Sequence, residues 1–406
     1  RLFGEVSGMR RIVVVGASLA GLRSVEFIRR AKFDGDLVFI GAEPHLPYDR
    51  PPLSKEVLRG EVAEERLSLR RRSYDELELE IRLGQRAVSL DSDAQAVRLQ
   101  NGDTIEYDGL VIATGGVVRE LPNQPRMDGV HVLRTLDDAL AIRKALGARP
   151  RVAVIGAGFI GAEVAASARQ LGLDVTMIEA LHAPMAQSLG PRLGRILQGV
   201  HERHGVRVRC GRKVDRFEGA GRVEGLLLDD GSRVDCELVV VGIGVRPAVA
   251  WLEGSGVELE NGVRCDETLA SSAPGVVAAG DVANWYNPLF EERMRVEQWT
   301  NAVELARHAV STLLAAPGEA KPFESAPIFW SDQYDIKIQG AGRPKPSDEL
   351  VIARGKADEE KLVALYGRAG RLVGAVAFNQ PPKLVQLRML IAKRGGLDEG
   401  IKIAES

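Results

Sequence analysis

The feature that most restricts this chain is a strand–turn–helix pattern written twice. The first copy is RRIVVVGASLAGLRSVEFIRR, Arg10 to Arg30, in which a short apolar run meets Gly16 and then continues with the 3.6-residue spacing of a helix. The second is RVAVIGAGFIGAEVAASARQLGLDVTMIEA, Arg151 to Ala180, with its first glycine 140 residues after Gly16. In the first a second apolar strand, Leu37 to Ile40, follows directly, and in the second a clear strand precedes Glu179. Parallel strands need a crossover helix between them, so each copy predicts a βαβ unit and the chain predicts an α/β fold with two dinucleotide-type domains.

The glycines carry separate duties. In such a turn the first allows the reversal, the last allows the helix to approach the strand, and the middle one lets backbone amides at the helix N-terminus meet a pyrophosphate. The second copy, Gly156-Ala-Gly158-Phe159-Ile160-Gly161, is complete. The first, Gly16-Ala-Ser18-Leu19-Ala20-Gly21, has serine in the middle. An acid about 20 residues on is expected to hold ribose hydroxyls. Glu179 lies 18 residues beyond Gly161, and Glu43 is the best candidate in the first copy. A carboxylate at a ribose opposes a 2′-phosphate by up to about 4 kcal/mol at ~4 Å and an effective dielectric of ~20. NADH is therefore favoured over NADPH.

With 406 residues and roughly 150 per domain, two or three domains are expected. Hydrophobic residues at 45% and charged residues at 27% describe a soluble globular chain. A net charge of −2 supplies no overall attraction to nucleic acid. Cys210, Cys236 and Cys265 are 26 and 29 residues apart, with no CxxC, which argues against a zinc site or a disulfide framework and for a reducing, cytoplasmic setting. No apolar run approaches the ~18 residues of a membrane helix, and no signal-peptide order is present. Arg1–Gly8 precede Met9, which reads as a natural start, so that octapeptide is taken as an expression remnant or an extended start.

The order of segments suggests one architecture used twice. A polar, antiparallel region from Arg82 to Ile105 leads to DGLVIATGG, Asp108 to Gly116; after the second copy, alternating strands from Val206 to Val234 lead to ELVVVGIGVRP, Glu237 to Pro247. The stretch Val263 to Asp281, ending in GVVAAGD, and a helix from Val303 to Ala315 bring the chain back to complete the first domain. From Pro322 short β-rich runs and a helix from Lys383 to Lys393 predict a third, antiparallel α+β domain. The expected division is 9–115 and 249–321 as one domain, 116–248 as the second, and 322–406 as the third.

One hydride donor and one two-electron acceptor make economical use of two dinucleotide folds, and flavin is such an acceptor. The order of these segments, with ATGG at Ala113 and AAGD at Ala278, resembles the two-dinucleotide flavoprotein reductases of glutathione-reductase-like architecture. The segment LPYDRPPLSKEVL, Leu46 to Leu58, narrows the resemblance to the oxygenase-coupled NADH-dependent ferredoxin reductases, from about Arg10 to the C-terminus. The resemblance implies FAD in the first domain and NADH in the second. It implies that Lys55 sits beside the flavin, held by Arg50 and Pro51-Pro52, and pairs with Glu163 of GFIGAE. It further implies that Ala20 contacts FAD phosphates, Val88 the adenine side, Arg134 the flavin side and Asp281 the ribityl chain, with Trp299 and Trp330 flanking the ring. Ala113, Thr114 and Gly115 of ATGG, and Gly244 of GIG, are the corresponding strand-end contacts.

Two departures stand out. Ala42 occupies the position of the family's ribose acid, which moves that role to Glu43 or removes it. Ala183 and Gln187 stand where the family places arginines for the NAD phosphates, leaving Arg192 as a substitute. The relatives that reduce disulfides or peroxides need cysteine near the flavin, and none occurs between Gly16 and Lys55. Without four clustered cysteines there is no iron-sulfur centre in this chain, so the implied acceptor is a separate ferredoxin serving an oxygenase or cytochrome P450. Arg70 to Arg72, Arg293, Arg295, Lys337, Arg343 and Lys345 are candidates for docking that acidic partner. The alternative is an apoptosis-inducing-factor-like flavoprotein acting through partner binding, opposed by the near-neutral charge and the lack of a basic insertion.

Overall fold

The computed structural model describes residues 8–355 and 361–406. Of the expected lead Arg1–Gly8, all but the last glycine lies outside the described residues. The chain forms two compact units. The first takes in the chain up to Asp49, Ser68–Val117 and Arg246–Pro327; the second takes in Arg50–Leu67, Val118–Val245 and Ile328–Ser406.

In the first unit a five-stranded parallel sheet runs in the order Val276–Ala278, Gly109–Ile112, Arg11–Val15, Asp36–Ile40, Glu80–Arg82. Its central strand is covered on both faces, and Ile12, Val13 and Val14 are fully buried, which accounts for an uninterrupted β-branched run. Helices Leu19–Arg30 and Trp299–Leu313 pack against each other. The later helix begins at Trp299, four residues before the expected start at Val303, because the polar first turn hides its beginning from a search for apolar period. Strand Val276–Ala278 closes the sheet beside Gly109–Ile112, so the late segment does return to this unit. The polar region after Arg82 is an antiparallel meander, Ala87–Asp91, Ala96–Leu99 and Thr104–Glu106, whereas Glu80–Arg82 joins the parallel sheet.

The second unit repeats the plan with the order Arg207–Cys210, Val175–Glu179, Val152–Ile155, Leu238–Val241, Val130–Val132. An antiparallel meander, Val214–Glu218, Gly225–Leu228 and Arg233–Asp235, packs on this sheet through a cluster of Ala153, Ile155, Ile178, Val239 and Val241 with Leu226, Leu228 and Val234. The C-terminal part is a five-stranded antiparallel sheet, Ile328–Gln333, Ile336–Gly342, Arg371–Phe378, Leu362–Arg368, Glu349–Arg354, carrying helices Pro381–Ala392 and Leu397–Glu405. The last helix lies beyond the expected helix Lys383 to Lys393; Gly400 interrupts its nine-residue run. Segment Arg50–Leu67, included in the sequence span 9–115, packs in this second unit against helix Phe159–Gln170. Arg59 donates to Ser167 Oγ and Gln170 Oε1, both at 3.3 Å, and Ser167 Oγ donates to Ser54 O at 2.8 Å. No helix among the described residues is long and apolar enough to cross a membrane.

Candidate functional site: two glycine turns and a buried charge pair

The two turns are built alike. Gly16 and Gly156 have φ of +118° and +98°, a region L side chains avoid, and a Cβ at either would collide with a carbonyl of the neighbouring strand end, Ala113 O or Gly242 O. A Cβ at Gly21 or Gly161 would collide with the carbonyl of Gly16 or Gly156. These four glycines are thus demanded by the fold. The middle position differs: nothing lies within 4 Å of a Cβ added at Gly158, which faces open space at the N-cap of its helix. Ser18 holds the same place as N-cap of Leu19–Arg30. Neither helix has an acid in its first turn, so the partial positive charge there is available to an anion. Leu19 and Ala20, like Phe159 and Ile160, open their helices, with Ala20 buried and Ile160 45% exposed. Both turns therefore fit the pyrophosphate of a dinucleotide.

The acids after the two turns behave differently. Glu179 ends its strand and turns its carboxylate onto the second loop, where Oε2 accepts from Ala157 N at 2.7 Å and Oε1 from Leu181 N at 2.8 Å. Gly156 N bonds Ile178 O and Gly16 N bonds Ile40 O, so the first-unit counterpart of Glu179 is Gly41. No side chain fits there, since a Cβ would lie 2.6 Å from Ala17 Cβ. Ala42 is exposed, and Glu43, two residues beyond the register position, accepts from Tyr48 Oη at 2.5 Å.

The contrast is sharper on the helices. Seven residues after its first glycine the first copy carries Arg23, bonded within its own helix to Glu26 at 2.6 Å. The second carries Glu163, buried, and paired with a distant lysine: Lys55 Nζ lies 3.2 Å from Glu163 Oε2. Ser54 Oγ donates to the same oxygen at 2.5 Å and Ser331 Oγ to Oε1 at 2.7 Å. Burial raises the Glu163 carboxyl above its ordinary value, against the opposing pull of Lys55 and the serines. Lys55 is only 5% exposed and Glu163 only 3%, so both charges are withdrawn from solvent, with Glu163 held by three side chains. Ser54, Ser331 and the residues behind Ser331 were missed by sequence reasoning. FWSDQYD carried the signal, since the two-residue period of a strand sends Ser331 and Gln333 to the face opposite Trp330.

Arg50 donates to Arg134 O at 2.5 Å, while Arg134 N is held by Asp138 at 3.0 Å in the capped start of helix Leu136–Leu146. In the first unit Trp299 Nε1 donates to Asp49 Oδ1 at 2.8 Å, Asp281 O accepts from Arg295 at 3.0 Å, and Thr114 Oγ1 donates to Ala248 O at 2.9 Å. Ala113 is buried, Gly115 O accepts from Ala248 N at 2.9 Å, and Val88 is 42% exposed on the meander. In the second unit Gly244 O accepts from Arg119 N at 2.9 Å; Trp330 is half-buried beside Phe329, whose ring meets Phe159 at 4.9 Å.

One expectation is corrected, that Arg70, Arg293 and Arg295 belong to a docking surface. Ala183 is fully buried against the helix carrying Gly194, which leaves no room for an arginine, and Arg192, exposed, donates to Leu350 O at 3.4 Å on the C-terminal sheet. Gln187 is exposed. Of the docking candidates, Arg70 is turned inward onto Glu26 at 3.0 Å, Arg293 onto Cys265 O at 2.6 Å, and Arg295 onto Glu297 at 2.6 Å and Asp281 O. Their charge runs describe internal bracing. Arg71 and Arg72 are exposed, Lys337 half-exposed, and Arg343 and Lys345 partly buried. Burial pushes the three free thiols up, Cys210 to about 11 and Cys236 and Cys265 to about 12, so each stays protonated near neutrality. Among the described residues no group of His, Cys, Asp and Glu could hold a metal ion.

Two glycine turns on two parallel sheets, followed by an antiparallel C-terminal sheet, define the architecture of the dinucleotide-dependent flavoprotein reductases. Comparison with known proteins agrees. Residues 10–306 match the pyridine nucleotide-disulphide oxidoreductase family and residues 328–402 the reductase C-terminal family. Rhodocoxin reductase of Rhodococcus erythropolis is 36% identical over 94% of this chain and 89% of its own. The anthranilate 1,2-dioxygenase system ferredoxin–NAD(+) reductase component of Burkholderia cepacia is 37% identical over 94% and 93%. The crystal structure of a covalent putidaredoxin reductase–putidaredoxin complex superimposes with a TM-score of 0.91 at 31% identity, over 97% of this chain and 98% of that one. The chain belongs to the pyridine nucleotide-disulphide oxidoreductase family, in its branch of oxygenase-coupled ferredoxin reductases.

Proposed function

We propose that this protein is an FAD-dependent NADH:ferredoxin reductase, passing electrons to a separate iron-sulfur ferredoxin that serves an oxygenase or cytochrome P450. The observation that carries the reading is that each glycine turn opens a helix without a first-turn acid, which leaves both helix N-termini to the pyrophosphate of a dinucleotide. FAD, when bound, supplies a carrier that accepts electrons as a pair from NADH and releases them singly.

The residues of this chain have distinct tasks in that reading. Gly16, Ser18, Leu19, Ala20 and Gly21 receive the FAD pyrophosphate, with Glu43 for the ribose, Ala42 and Val88 on the adenine side and Asp281 for the ribityl chain. Gly156 to Gly161 receive NADH, and Glu179 its ribose, with Gly244 at the strand end. Ala113, Thr114 and Gly115 line the FAD turn, and Arg50, Arg134, Trp299 and Trp330 border the ring. Lys55 and Glu163 set the charge beside the ring and exclude water. This corresponds to an FAD-binding domain of 9–115 and 249–321, an NAD-binding domain of 116–248 and a C-terminal domain of 322–406, with Arg50–Leu67 of the first span packed in the second unit. The cysteines support an exit to another protein, because thiols held protonated do not act as an electron relay. Unpaired cysteines also support a reducing, cytoplasmic setting.

The test is a visible spectrum of the purified protein followed by anaerobic titration with NADH and with NADPH. Flavin absorbance bleached by NADH, at lower concentration than by NADPH, is the expected result. A colourless protein after reconstitution with FAD rejects the reading. Reduction of cytochrome c by NADH should require added ferredoxin.

A further inference from the structure

Behind Glu163 a line of buried polar groups continues to the edge of the second unit. Ser331 Oγ, 2.7 Å from Glu163 Oε1, lies 3.0 Å from Gln333 Nε2; Gln333 Oε1 lies 3.0 Å from His201 Nε2; His201 Nδ1 lies 2.9 Å from Tyr334 Oη. Ser331, Gln333 and His201 are each no more than 1% exposed. The four residues come from a strand, the left-handed turn at Tyr334 and a helix about 130 residues earlier, so this meeting is a product of the tertiary fold.

The hydrogen positions follow from chemistry. The Ser331 proton is committed to the carboxylate, so Ser331 Oγ accepts and Gln333 must present its NH2 there. That leaves the Gln333 carbonyl facing His201, which must donate from Nε2. A neutral imidazole then accepts at Nδ1, and Tyr334 O–H donates to it. Burial holds the imidazole neutral, lowering it to about 4. Every donor points towards Glu163. An amide does not hand on protons as a hydroxyl or imidazole does, so Gln333 makes the line a carrier of orientation. The charged and titratable groups facing it are Lys55 at Glu163 and, around His201, His204, Tyr334 and Arg169. His204 stacks on the Tyr334 ring at 3.7 Å and 6°, with Asp335 3.8 Å from its Nε2.

We propose that Tyr334, His201, Gln333 and Ser331 form a one-way polar relay that holds Glu163 as an ionised acceptor for Lys55, with His201 as the positioning residue that sets its direction. The relay deepens the reading of Lys55 and Glu163 as the charge pair beside FAD, and rests on that reading for its consequence in electron transfer.

The experiment follows the infrared carbonyl band of protonated Glu163, assigned by its loss in Glu163→Gln, against pH in the holoprotein. Removing the relay should raise the midpoint of that band, by about one pH unit in Ser331→Ala, less in Gln333→Leu and least in Tyr334→Phe. His201→Gln, which keeps a donor and an acceptor, should stay near wild type, while His201→Phe should match Gln333→Leu. An unmoved midpoint in folded Gln333→Leu overturns the relay; should that variant not fold, an unmoved midpoint in Tyr334→Phe overturns it. Flavin colour separates the two ideas. A colourless protein whose band still shifts rejects the reductase reading and keeps the relay, and a yellow protein whose band does not move rejects the relay alone.

Discussion

The two βαβ copies share a turn and diverge in everything the turn does not require. In both, the outer glycines are fixed by collisions with backbone carbonyls, so they report on folding and would be needed in a turn that bound nothing. The information about ligands sits elsewhere: at the open middle position, at the strand-end acid, and on the helix, where Arg23 pairs locally while Glu163 is buried with Lys55. A glycine motif is thus strong evidence for a fold and, through its outer positions, weak evidence for chemistry.

The largest test of this difference removes one cation from each copy. Lys55→Met strands a buried carboxylate and should cost about 3 kcal/mol or more in urea unfolding, whereas Arg23→Met should cost about 0.5 kcal/mol because its pair is partly solvated and Glu26 keeps a second arginine. The Lys55→Met cost should shrink with acidification. The raised Glu163 carboxyl binds a proton more readily folded than unfolded, so below its folded value the stranded charge is gone. Equal costs in the two variants would break the contrast.

Gly21→Ala and Gly161→Ala should lose nearly equal stability, about 3 kcal/mol each, since each Cβ meets the same backbone carbonyl. A large inequality would show that the turns are not equivalent after all.

His201 provides a pH signature confined to the second copy. Its folded value is lowered from 6.5 to about 4, so the unfolded chain binds more protons between these limits. The stability it contributes is complete above 6.5 and is lost as pH falls towards about 4. The total is up to about 3 kcal/mol. Thermal unfolding of His201→Gln should be flatter over that window than wild type.

Smaller effects come next. Glu179→Gln should narrow the preference for NADH over NADPH about tenfold in anaerobic titration, with Glu43→Gln leaving it unchanged, because an effective dielectric near that of a surface site weakens the repulsion. Ser18→Gly and Gly158→Ser should each change stability by less than about 0.5 kcal/mol. Gly158→Ser should still raise the NADH concentration needed for half-reduction.

Much of this is legible in the sequence. Gly16, Gly21, Gly156 and Gly161 are local signals, because a turn and its helix are made of neighbours, and the parallel sheets follow from the crossover rule. The Lys55–Glu163 pair was reached through the resemblance of PPLSK and GFIGAE. Charge clusters misled where side chains fold inward, as Arg70, Arg293 and Arg295 do to satisfy buried carbonyls and acids. His201 gave no signal, since nothing local to HERHG distinguishes a buried imidazole from a helix-end histidine.

Sequence alone determined the two dinucleotide turns, the strand-end glutamate of the second and the absence of cysteine from the first, since these depend on residue type and on spacing over a few turns of chain. Tertiary structure decided which charges are buried, which way Gln333 presents its amide and why Gly41 bears no acid. Burial and donor direction arise from groups more than a hundred residues apart, and no short-range pattern records them.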